Sequence, residues 1–480
     1  MAQTLVWYDL ETFGLHPQWD RIGQFAAVRT DSDFQQIGEA ENFYCRISPD
    51  YLPHPEACLL TKLTPRVVNS EGITEREFAA RIHEVMSVPG SCVAGYNNLR
   101  FDDEFIRSLF YRNFFDPYKR EYENSNSRWD IIDLARMARD LRPEGIEWPE
   151  DEGGKPVFKL ELLTGANGIP HDDAHDALSD VKATIALAKM LFEKQEKLFR
   201  FYFKLRKKEE VRRLLNLQER KVVVHTSGMY TTINGCSTLV MPLSVHPVLS
   251  NVIITYDLRQ DPSDWIDEPV EEIRRRVFSR EEDLEPDTRI PLRGVHINRC
   301  PAIAPLSTLS TDRAKALNIH VDEALRHAEI LGIRTDLIQK IRSVYSEPSR
   351  SLSRDPELQI YSGDFFPDED KEVFRFIRNS PPEALIPAQP QLHDPRGPEL
   401  LRRYIGRNYS EHLSEEEQQR WKSFCASRLL TPEPEGAVDF GTFCRDVTNR
   451  LSRIDTPAQD KKILKDLQDW GEYLEKTVLS

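Results

Sequence analysis

Short apolar runs and amphipathic stretches alternate over the first 190 or so residues. Four runs end at turn or acidic residues and predict strands: 4–11, 22–31, 42–48 and 91–98. Apolar residues recur at helical spacing in four other segments: 74–86, 101–115, 129–141 and 174–194. This mixed order of strands and helices predicts an α/β domain with a central sheet.

The pattern changes after this first part. A charged helical stretch over 192–215 is typical of a connector. Three β-rich runs follow, separated by glycine, asparagine and serine turns: 221–230, 237–247 and 251–258. They predict a small β barrel or sheet with helical additions.

From about residue 355 the spacing of apolar residues is mostly helical, as in 413–430 and 457–479. The proline-rich segment 381–398 predicts an exposed crossing loop. A chain of 480 residues is too long for one ordinary core. We therefore expect three domains with the bounds 1–190, 191–352 and 353–480.

Composition narrows the class of protein. Hydrophobic residues make up 39% and charged residues 30% of the chain, which is typical of a soluble globular protein. The sequence contains neither an apolar run long enough for a membrane span nor an N-terminal signal pattern, so we expect a cytoplasmic protein without membrane contact. The seven scattered cysteines lack C-x-x-C spacing, which argues against a disulfide framework or a structural zinc site.

A formal charge of −15 argues only weakly against a nucleic-acid partner. A globally acidic protein repels polyphosphate. Carboxylates that bind cations nevertheless add negative charge that the bound ions cancel, and basic residues can gather in one channel. Whether the protein binds nucleic acid must therefore be decided from local sequence motifs.

Asp9 and Glu11 end the first predicted strand. Residues i and i+2 of a strand point to the same face, so the two carboxylates lie side by side. Like charges at that spacing repel unless one is protonated or a cation lies between them, and a hard divalent ion takes oxygen ligands. Taken alone, this pair is equally typical of two solvated acids at a strand end.

Two later segments add acidic residues and a histidine. Asp102 opens a predicted helix after the strand 91–98, where it could simply cap that helix. His175 lies at the start of the late predicted helix, and Asp176 and Asp180, four residues apart, share one face of it. A histidine at a helix start is also typical of a cap or a packed ring.

Together these residues form a recognisable pattern. Its parts are D-x-E at an N-terminal strand, N-x-x-F-D after a middle strand (Asn98, Phe101 and Asp102) and H-x-x-x-x-D in a late helix. The pattern resembles the DEDDh group of 3′→5′ exonucleases. Longer segments such as DLETFGLHP, YNNLRFDDE, NSRWDIIDLAR and AHDALSDV are similar to the bacterial exodeoxyribonuclease I family. The similarity covers nearly the whole chain, is densest in the first 185 residues and is thin after about residue 355.

This resemblance implies an RNase H-like exonuclease domain with a central mixed sheet, then an SH3-like β-barrel domain and a C-terminal helical domain. It also implies 3′→5′ hydrolysis of single-stranded DNA to nucleoside 5′-monophosphates, in DNA repair and recombination. Two Mg²⁺ ions, for which Mn²⁺ could substitute, are the implied cofactors. Asp9, Glu11, Asp102 and Asp180 are the implied metal ligands. His175 suits a general base that takes the proton from the attacking water.

A single-strand site combines cations for phosphates with aromatic platforms for bases. Besides Glu11, the candidate substrate contacts are Phe13, Arg107, Tyr118, Tyr122, Arg128, Arg136, Arg139 and Lys159. Each basic candidate could equally be a solvated surface charge, and Phe13 could be core. Lys159 stands where the resembling enzymes have an arginine, so it keeps the charge but loses bidentate geometry.

The family resemblance also implies a second partner, the acidic C-terminal tail of single-stranded DNA-binding protein, with Arg142 as one contributor. We expect a monomer. Two alternatives remain: a DEDDh exonuclease that acts on RNA or as a proofreader, and a catalytically silent nucleic-acid-binding scaffold. The 290 or so residues after the nuclease domain argue against the short RNA enzymes, and the complete set of candidate catalytic residues argues against a silent scaffold.

Overall fold

The structure is a computed structural model that describes residues 4–171, 175–286, 288–346, 353–434 and 436–480. It divides into two compact units. The first contains Met1–Asn126, Asp172–Lys182 and Arg350–Ser480, and the second contains Ser127–His171 and Ala183–Ser349. Within the described ranges, no helix is long and apolar enough to cross a membrane.

The first unit contains the N-terminal sheet and the C-terminal helices. Its strands are β1 (Thr4–Thr12), β2 (Ile22–Thr30), β3 (Glu41–Tyr44) and β4 (Ser91–Gly95). Its early helices are α1 (Pro55–Thr61), α2 (Pro65–Glu71), α3 (Glu75–Met86) and α4 (Asp102–Arg112). Its late helices are α14 (Asp368–Asn379), α15 (Pro382–Ala388), α16 (Gly397–Tyr409), α17 (Glu415–Leu430), α18 (Phe440–Leu451) and α19 (Ala458–Leu474).

The second unit is built around an antiparallel sheet, whose strands lie in the order 302–305, 223–226, 237–245, 252–257 and 292–296 from one edge to the other. The strands are β6 (Val223–Thr226), β7 (Ser237–Val245), β8 (Val252–Asp257), β9 (Leu292–His296) and β10 (Ala302–Pro305), and β5 (Ser127–Asp130) also belongs to this unit. Its helices are α5 (Ile132–Leu141), α6 (Leu160–Ala166), α8 (Glu196–Lys204), α9 (Lys208–Leu214), α10 (Val270–Phe278), α11 (Thr311–Ala316), α12 (Val321–Gly332) and α13 (Asp336–Val344). Helix α7 (Ala177–Lys194) begins in the first unit and continues in the second.

The sheet of the first unit is mixed, as predicted. β1 pairs antiparallel with β2 and parallel with β4, and β2 pairs antiparallel with β3. Because β1 and β4 are parallel, their carboxyl ends lie at the same edge of the sheet. Residues that follow these two strands therefore meet at one place.

The two ends of the first unit share a hydrophobic core. Phe13 and Trp19, from the loop after β1, pack in one cluster with Trp421 of α17 and Leu467 of α19. The segment that carries the N-terminal acids is therefore anchored on the C-terminal helices.

A buried ion network also joins these parts of the first unit. Arg407 of α16 donates to Asp50 at 2.8 Å and contacts Glu357 at 2.5 Å, and Arg428 of α17 contacts Glu357 at 3.0 Å. Burial alone would raise the pKa of Asp50 and of Glu357, but the surrounding arginines hold both pKa values below the ordinary range.

Two predicted elements differ from the structure. The helix predicted over 129–141 loses its first residues to β5, because Trp129 is buried in that strand. The proline-rich segment 381–398 is not a simple crossing loop: it contains α15 and the first residues of α16. Proline is favoured in the first turn of a helix, where Pro382 lies, and burial of Leu385 stabilises the turn.

Candidate active site

Strand β1 brings two carboxylates to one edge of the first unit's sheet. Asp9 lies opposite Ala26 of β2 and Glu11 lies opposite Gln24, so the two acids point to the same face. Glu11 is only 6% exposed. Oxygens of Asp9, Glu11 and Asp180 all lie within 4.8 Å of one another. Three acids from two distant segments thus form one compact group.

Helix α7 supplies Asp180 from its first turn. His175 lies two residues before the helix, is partly buried and has a φ of 68°, which bends the backbone at the helix entry. Asp176 caps the helix, since its Oδ1 accepts the backbone N–H of Ser179 at 3.0 Å. The first intrahelical bond runs from the backbone N–H of Asp180 to the carbonyl of Asp176 at 3.0 Å.

Asp102 is the first residue of α4 and follows the carboxyl end of β4. Its neighbour Asp103 is fully buried and accepts the Tyr8 hydroxyl at 2.7 Å and Arg120 Nη2 at 2.6 Å. These two contacts fix the start of α4 against β1. Asp102 is thereby held near Asp9, whose pKa its negative charge raises.

The electrostatics of the group are strongly unfavourable for bare carboxylates. Burial raises the pKa of Asp9 well above its ordinary value, and the charges of Asp102, Asp180 and Asp176 raise it further. Burial and the charges of Asp9, Asp180 and Asp176 raise the pKa of Glu11 to about 9. Repulsion of this kind is relieved by a proton or by a cation.

The donor set fits hard divalent cations. The three grouped residues offer carboxylate oxygens, which Mg²⁺, Ca²⁺ and Mn²⁺ prefer as ligands. Their closeness and their raised pKa values indicate that a positive charge belongs between them.

Two predicted DNA contacts of the first unit are buried. Phe13 is 1% exposed and packs in the core cluster, which favours the core alternative. Arg107 is also buried: its Nε contacts Glu121 at 2.7 Å and its Nη1 contacts Glu104 at 2.9 Å. A buried guanidinium paired with two partly buried carboxylates is typical of a structural ion pair rather than of a phosphate contact.

The two predicted tyrosines differ in exposure. Tyr118 is partly buried, and the Arg107 guanidinium lies 5.3 Å from its ring centre. Tyr122 is 63% exposed, so its ring surface is available to a base. Of the predicted aromatic contacts, Tyr122 has the exposure that stacking needs.

Arg128 and Arg136, two of the predicted basic contacts in the second unit, bind protein groups. Arg128 is buried and its Nη2 donates to the Asn298 carbonyl at 3.3 Å. Arg136 pairs with Asp133 at 2.6 Å. Lys159 is exposed at the N-cap position of α6, with no side-chain capping bond.

Arg139 and Arg142 lie at the end of α5. Arg139 Nη1 donates to the Asn234 carbonyl at 2.5 Å, and Arg142 Nη1 donates to the Thr308 carbonyl at 3.1 Å. Arg136 and Arg139 lie three residues apart on α5, whereas Arg142 is the C-cap residue of that helix.

Gln24 is a site residue that sequence reasoning missed. It is 1% exposed and faces Glu11 across the β1–β2 pair. Its Nε2 donates to Asp176 Oδ2 and to Asn42 Oδ1, both at 3.0 Å. No motif in the sequence marks Gln24, because its place depends on strand register. Asp176 carried a signal, its four-residue spacing from Asp180, but no role could be assigned from that spacing alone.

Comparison with known proteins gives three family models that follow one another along the chain. They are Exonuclease over residues 6–188, Exonuclease I SH3-like domain over 206–347 and Exonuclease I C-terminal domain over 354–474. This order confirms the predicted fold class.

Individual relatives match from end to end. Exodeoxyribonuclease I of Escherichia coli strain K12 is 41% identical over 477 residues, which cover 99% of this chain and 98% of that protein. The structure of a moderately thermophilic exonuclease I from Methylocaldum szegediense is 44% identical with a TM-score of 0.94, covering 98% of this chain and 99% of that one. A zinc-bound complex of Escherichia coli exonuclease I with single-stranded DNA is 38% identical with a TM-score of 0.93, covering 99% of this chain and all of that one.

Proposed function

The chain belongs to the exodeoxyribonuclease I family, and from this membership we propose that the site built from its grouped carboxylates hydrolyses single-stranded DNA. The enzyme degrades the strand in the 3′→5′ direction and releases nucleoside 5′-monophosphates, in DNA repair and recombination. The observation that carries the proposal is the group of Asp9, Glu11 and Asp180, whose oxygens lie within 4.8 Å of one another.

Asp9, Glu11, Asp102 and Asp180 would hold two divalent ions, for which we propose Mg²⁺, with Mn²⁺ as a substitute. Bound there, such ions would supply charge stabilisation at the phosphoryl oxygens and at the leaving 3′-oxygen. The protein's own contribution is to keep four carboxylates close together despite their repulsion. Anchoring of α4 through Asp103 is part of that contribution.

His175 is the proposed general base. Its position two residues before α7 places it at the same helix start that supplies Asp180. A histidine there can take a proton from the attacking water, while Asp180 remains a carboxylate for cation binding. Because His175 and Asp180 come from one short segment, their spacing depends on the backbone at the helix entry.

Two further parts of the proposal concern partners. Single-stranded DNA is the substrate, and Tyr122 and Lys159 are the proposed contacts whose exposure suits it best. The acidic C-terminal tail of single-stranded DNA-binding protein is a proposed protein partner, with Arg142 at the end of α5 as one contact. We propose a cytoplasmic monomer.

One assay tests the central claim. Single-stranded DNA, duplex DNA and RNA, labelled at the 3′ or 5′ end, are incubated with the protein in Mg²⁺ or in EDTA. We expect mononucleotides from single-stranded DNA in Mg²⁺ only, and loss of activity in Asp9→Ala. The control is Glu329→Ala on the exposed side of α12, which should behave as wild type.

His175→Ala should lower turnover and leave DNA binding largely unchanged, because a general base acts on the reacting water. Equal loss of binding and turnover would make His175 structural instead. The proposal as a whole is wrong if wild type releases no mononucleotides, or if EDTA and Asp9→Ala leave the activity intact.

A further inference from the structure

Asp176 lies inside the candidate active site without a role in the proposed chemistry. Its two carboxylate oxygens accept hydrogen bonds from different elements. Oδ1 accepts the backbone N–H of Ser179 at 3.0 Å, which caps α7. Oδ2 accepts Nε2 of Gln24 at 3.0 Å, which reaches across to β2. One carboxylate therefore joins the start of the helix to the sheet.

Gln24 is held in the orientation that this bond needs. Its side chain is buried, and both hydrogen bonds from Nε2, to Asp176 Oδ2 and to Asn42 Oδ1, are 3.0 Å long. Two acceptors fix which end of the amide faces Asp176. Gln24 also lies directly opposite Glu11 in the β1–β2 register. The donor of the bond to Asp176 therefore belongs to the residue that pairs with Glu11, one of the grouped carboxylates.

The other end of the bond lies between two residues of the site. His175 precedes Asp176 directly, with a φ of 68° that only a well-supported backbone maintains outside glycine. Asp180 follows four residues later, and its backbone N–H donates to the Asp176 carbonyl at 3.0 Å. A shift of Asp176 would therefore move the histidine and the aspartate together.

From these contacts we propose that the Gln24–Asp176 hydrogen bond is a tether that positions His175 and Asp180 against Asp9 and Glu11. Asp176 and Gln24 are positioning residues, since they act through the residues that they hold. The inference rests on the proposed function of the site. It assigns a task to the second oxygen of Asp176, because the bond from Ser179 that caps α7 uses only Oδ1.

The test separates the tether from the cap. Asp176→Ser keeps an oxygen that caps α7 but removes the second oxygen, the acceptor for Gln24. Gln24→Leu removes the donor and leaves the cap untouched. The double variant completes a cycle. Each protein is assayed for kcat and KM on a single-stranded oligonucleotide, for Mn²⁺ affinity by calorimetry without DNA, and for melting temperature.

The chain offers a matched control in Asp439, which caps α18. Its Oδ1 accepts the backbone N–H of Thr442 at 2.9 Å and its Oδ2 accepts the Thr442 hydroxyl at 2.7 Å. Asp439→Ser therefore makes the same change at a helix start in the C-terminal part of the chain. It should leave kcat and Mn²⁺ affinity at the wild-type values.

We expect each single variant to lose about 10- to 100-fold in kcat or Mn²⁺ affinity, the usual effect of removing a residue that orients a metal ligand. KM should change less than kcat, and the melting temperature should shift no more than in Asp439→Ser. The double variant should be no worse than the more impaired single variant, because both changes remove the same Gln24–Asp176 bond.

Wild-type kcat and Mn²⁺ affinity in either single variant would overturn the tether, as would multiplicative losses in the double variant. Asp9→Ala is assayed in parallel to keep the two proposals distinguishable. If Asp9→Ala is inactive while Gln24→Leu and Asp176→Ser behave as wild type, only the tether is wrong. If Asp9→Ala remains active, the proposed function of the site is wrong.

Discussion

Proton release on metal binding is the sharpest prediction from the electrostatics of the site. With a pKa of about 9, Glu11 is protonated at pH 7 in the protein without metal. Asp9 shifts in the same direction, because it is buried beside other carboxylates. A divalent cation needs the carboxylate form of each ligand, so binding must release protons to the solvent.

The size of the effect follows from the pKa of Glu11. At pH 7 that pKa of about 9 lies two units above the pH, so displacing the proton costs about 2.7 kcal/mol. The apparent affinity for the cation is then about 100-fold weaker at pH 7 than its limit above the pKa of Glu11. Because protons compete with the cation, affinity falls as pH falls. From Glu11 alone we expect about a tenfold change between pH 7 and 8 and about a fivefold change between pH 8 and 9, where the pKa is reached.

Calorimetry measures both quantities directly. Mn²⁺ or Mg²⁺ is titrated into the protein at pH 7, 8 and 9, each in two buffers with different ionisation enthalpies, and the difference in heat gives the number of protons released. Glu11→Gln should release about one proton fewer and flatten the pH dependence of affinity. Glu329→Gln, on the exposed side of α12, should change neither quantity.

The reasoning is refuted if the cation binds at pH 7 without proton release and with an affinity that does not vary up to pH 9. That result would mean that Glu11 is already ionised in the metal-free site. If protons are released but Glu11→Gln leaves their number unchanged, the titrating carboxyl group is another one, and the assignment to Glu11 is wrong.

Two further predictions concern the scaffold of the first unit. Arg407→Met leaves the buried carboxylates of Asp50 and Glu357 without a main partner, so it should cost about 3–5 kcal/mol of stability. The control Arg200→Met, in the exposed pair with Glu196, should cost at most about 1 kcal/mol. Similar melting temperatures for the two variants would contradict this prediction. Gly14→Ala would place a Cβ 2.2 Å from Oδ2 of Asp20, so we expect a loss of about 1–3 kcal/mol and a lower melting temperature, with Gly165→Ala, whose added Cβ meets nothing within 4 Å, as the neutral control.

Sequence periodicity predicted the parts of the site that depend on local geometry. The i, i+2 spacing of a strand brings Asp9 and Glu11 to one face, and the structure has β1 over Thr4–Thr12 against a predicted 4–11. Helical spacing likewise placed Asp180 on a helix, one turn or more from its start; the structure has Asp180 in the first turn, because α7 begins at Ala177 and not at the predicted residue 174. Such features follow from one segment at a time.

Residue type alone could not decide burial. Phe13 and Arg107 have the chemistry of DNA contacts, yet the loop after β1 packs Phe13 against C-terminal helices, and Glu121 and Glu104 occupy the Arg107 guanidinium. These partners are distant in sequence or lie on loops whose path no local pattern gives. Asp50 and Arg407, paired across 357 positions, show the same limit on a larger scale.

The starts of α4 and α7 each carry two acidic residues, and the two acids have different roles in the same way at both helices. At α4, Asp103 is bonded to Tyr8 and Arg120, while its neighbour Asp102 acts on Asp9. At α7, Asp176 is bonded to Gln24, while Asp180 joins the carboxylate group. In each pair one acid holds the helix against the sheet, and the other contributes charge to the site. Repulsion among the site carboxylates would push both helix starts away, so anchors of this kind are what allow the fold to keep those charges together until a cation binds.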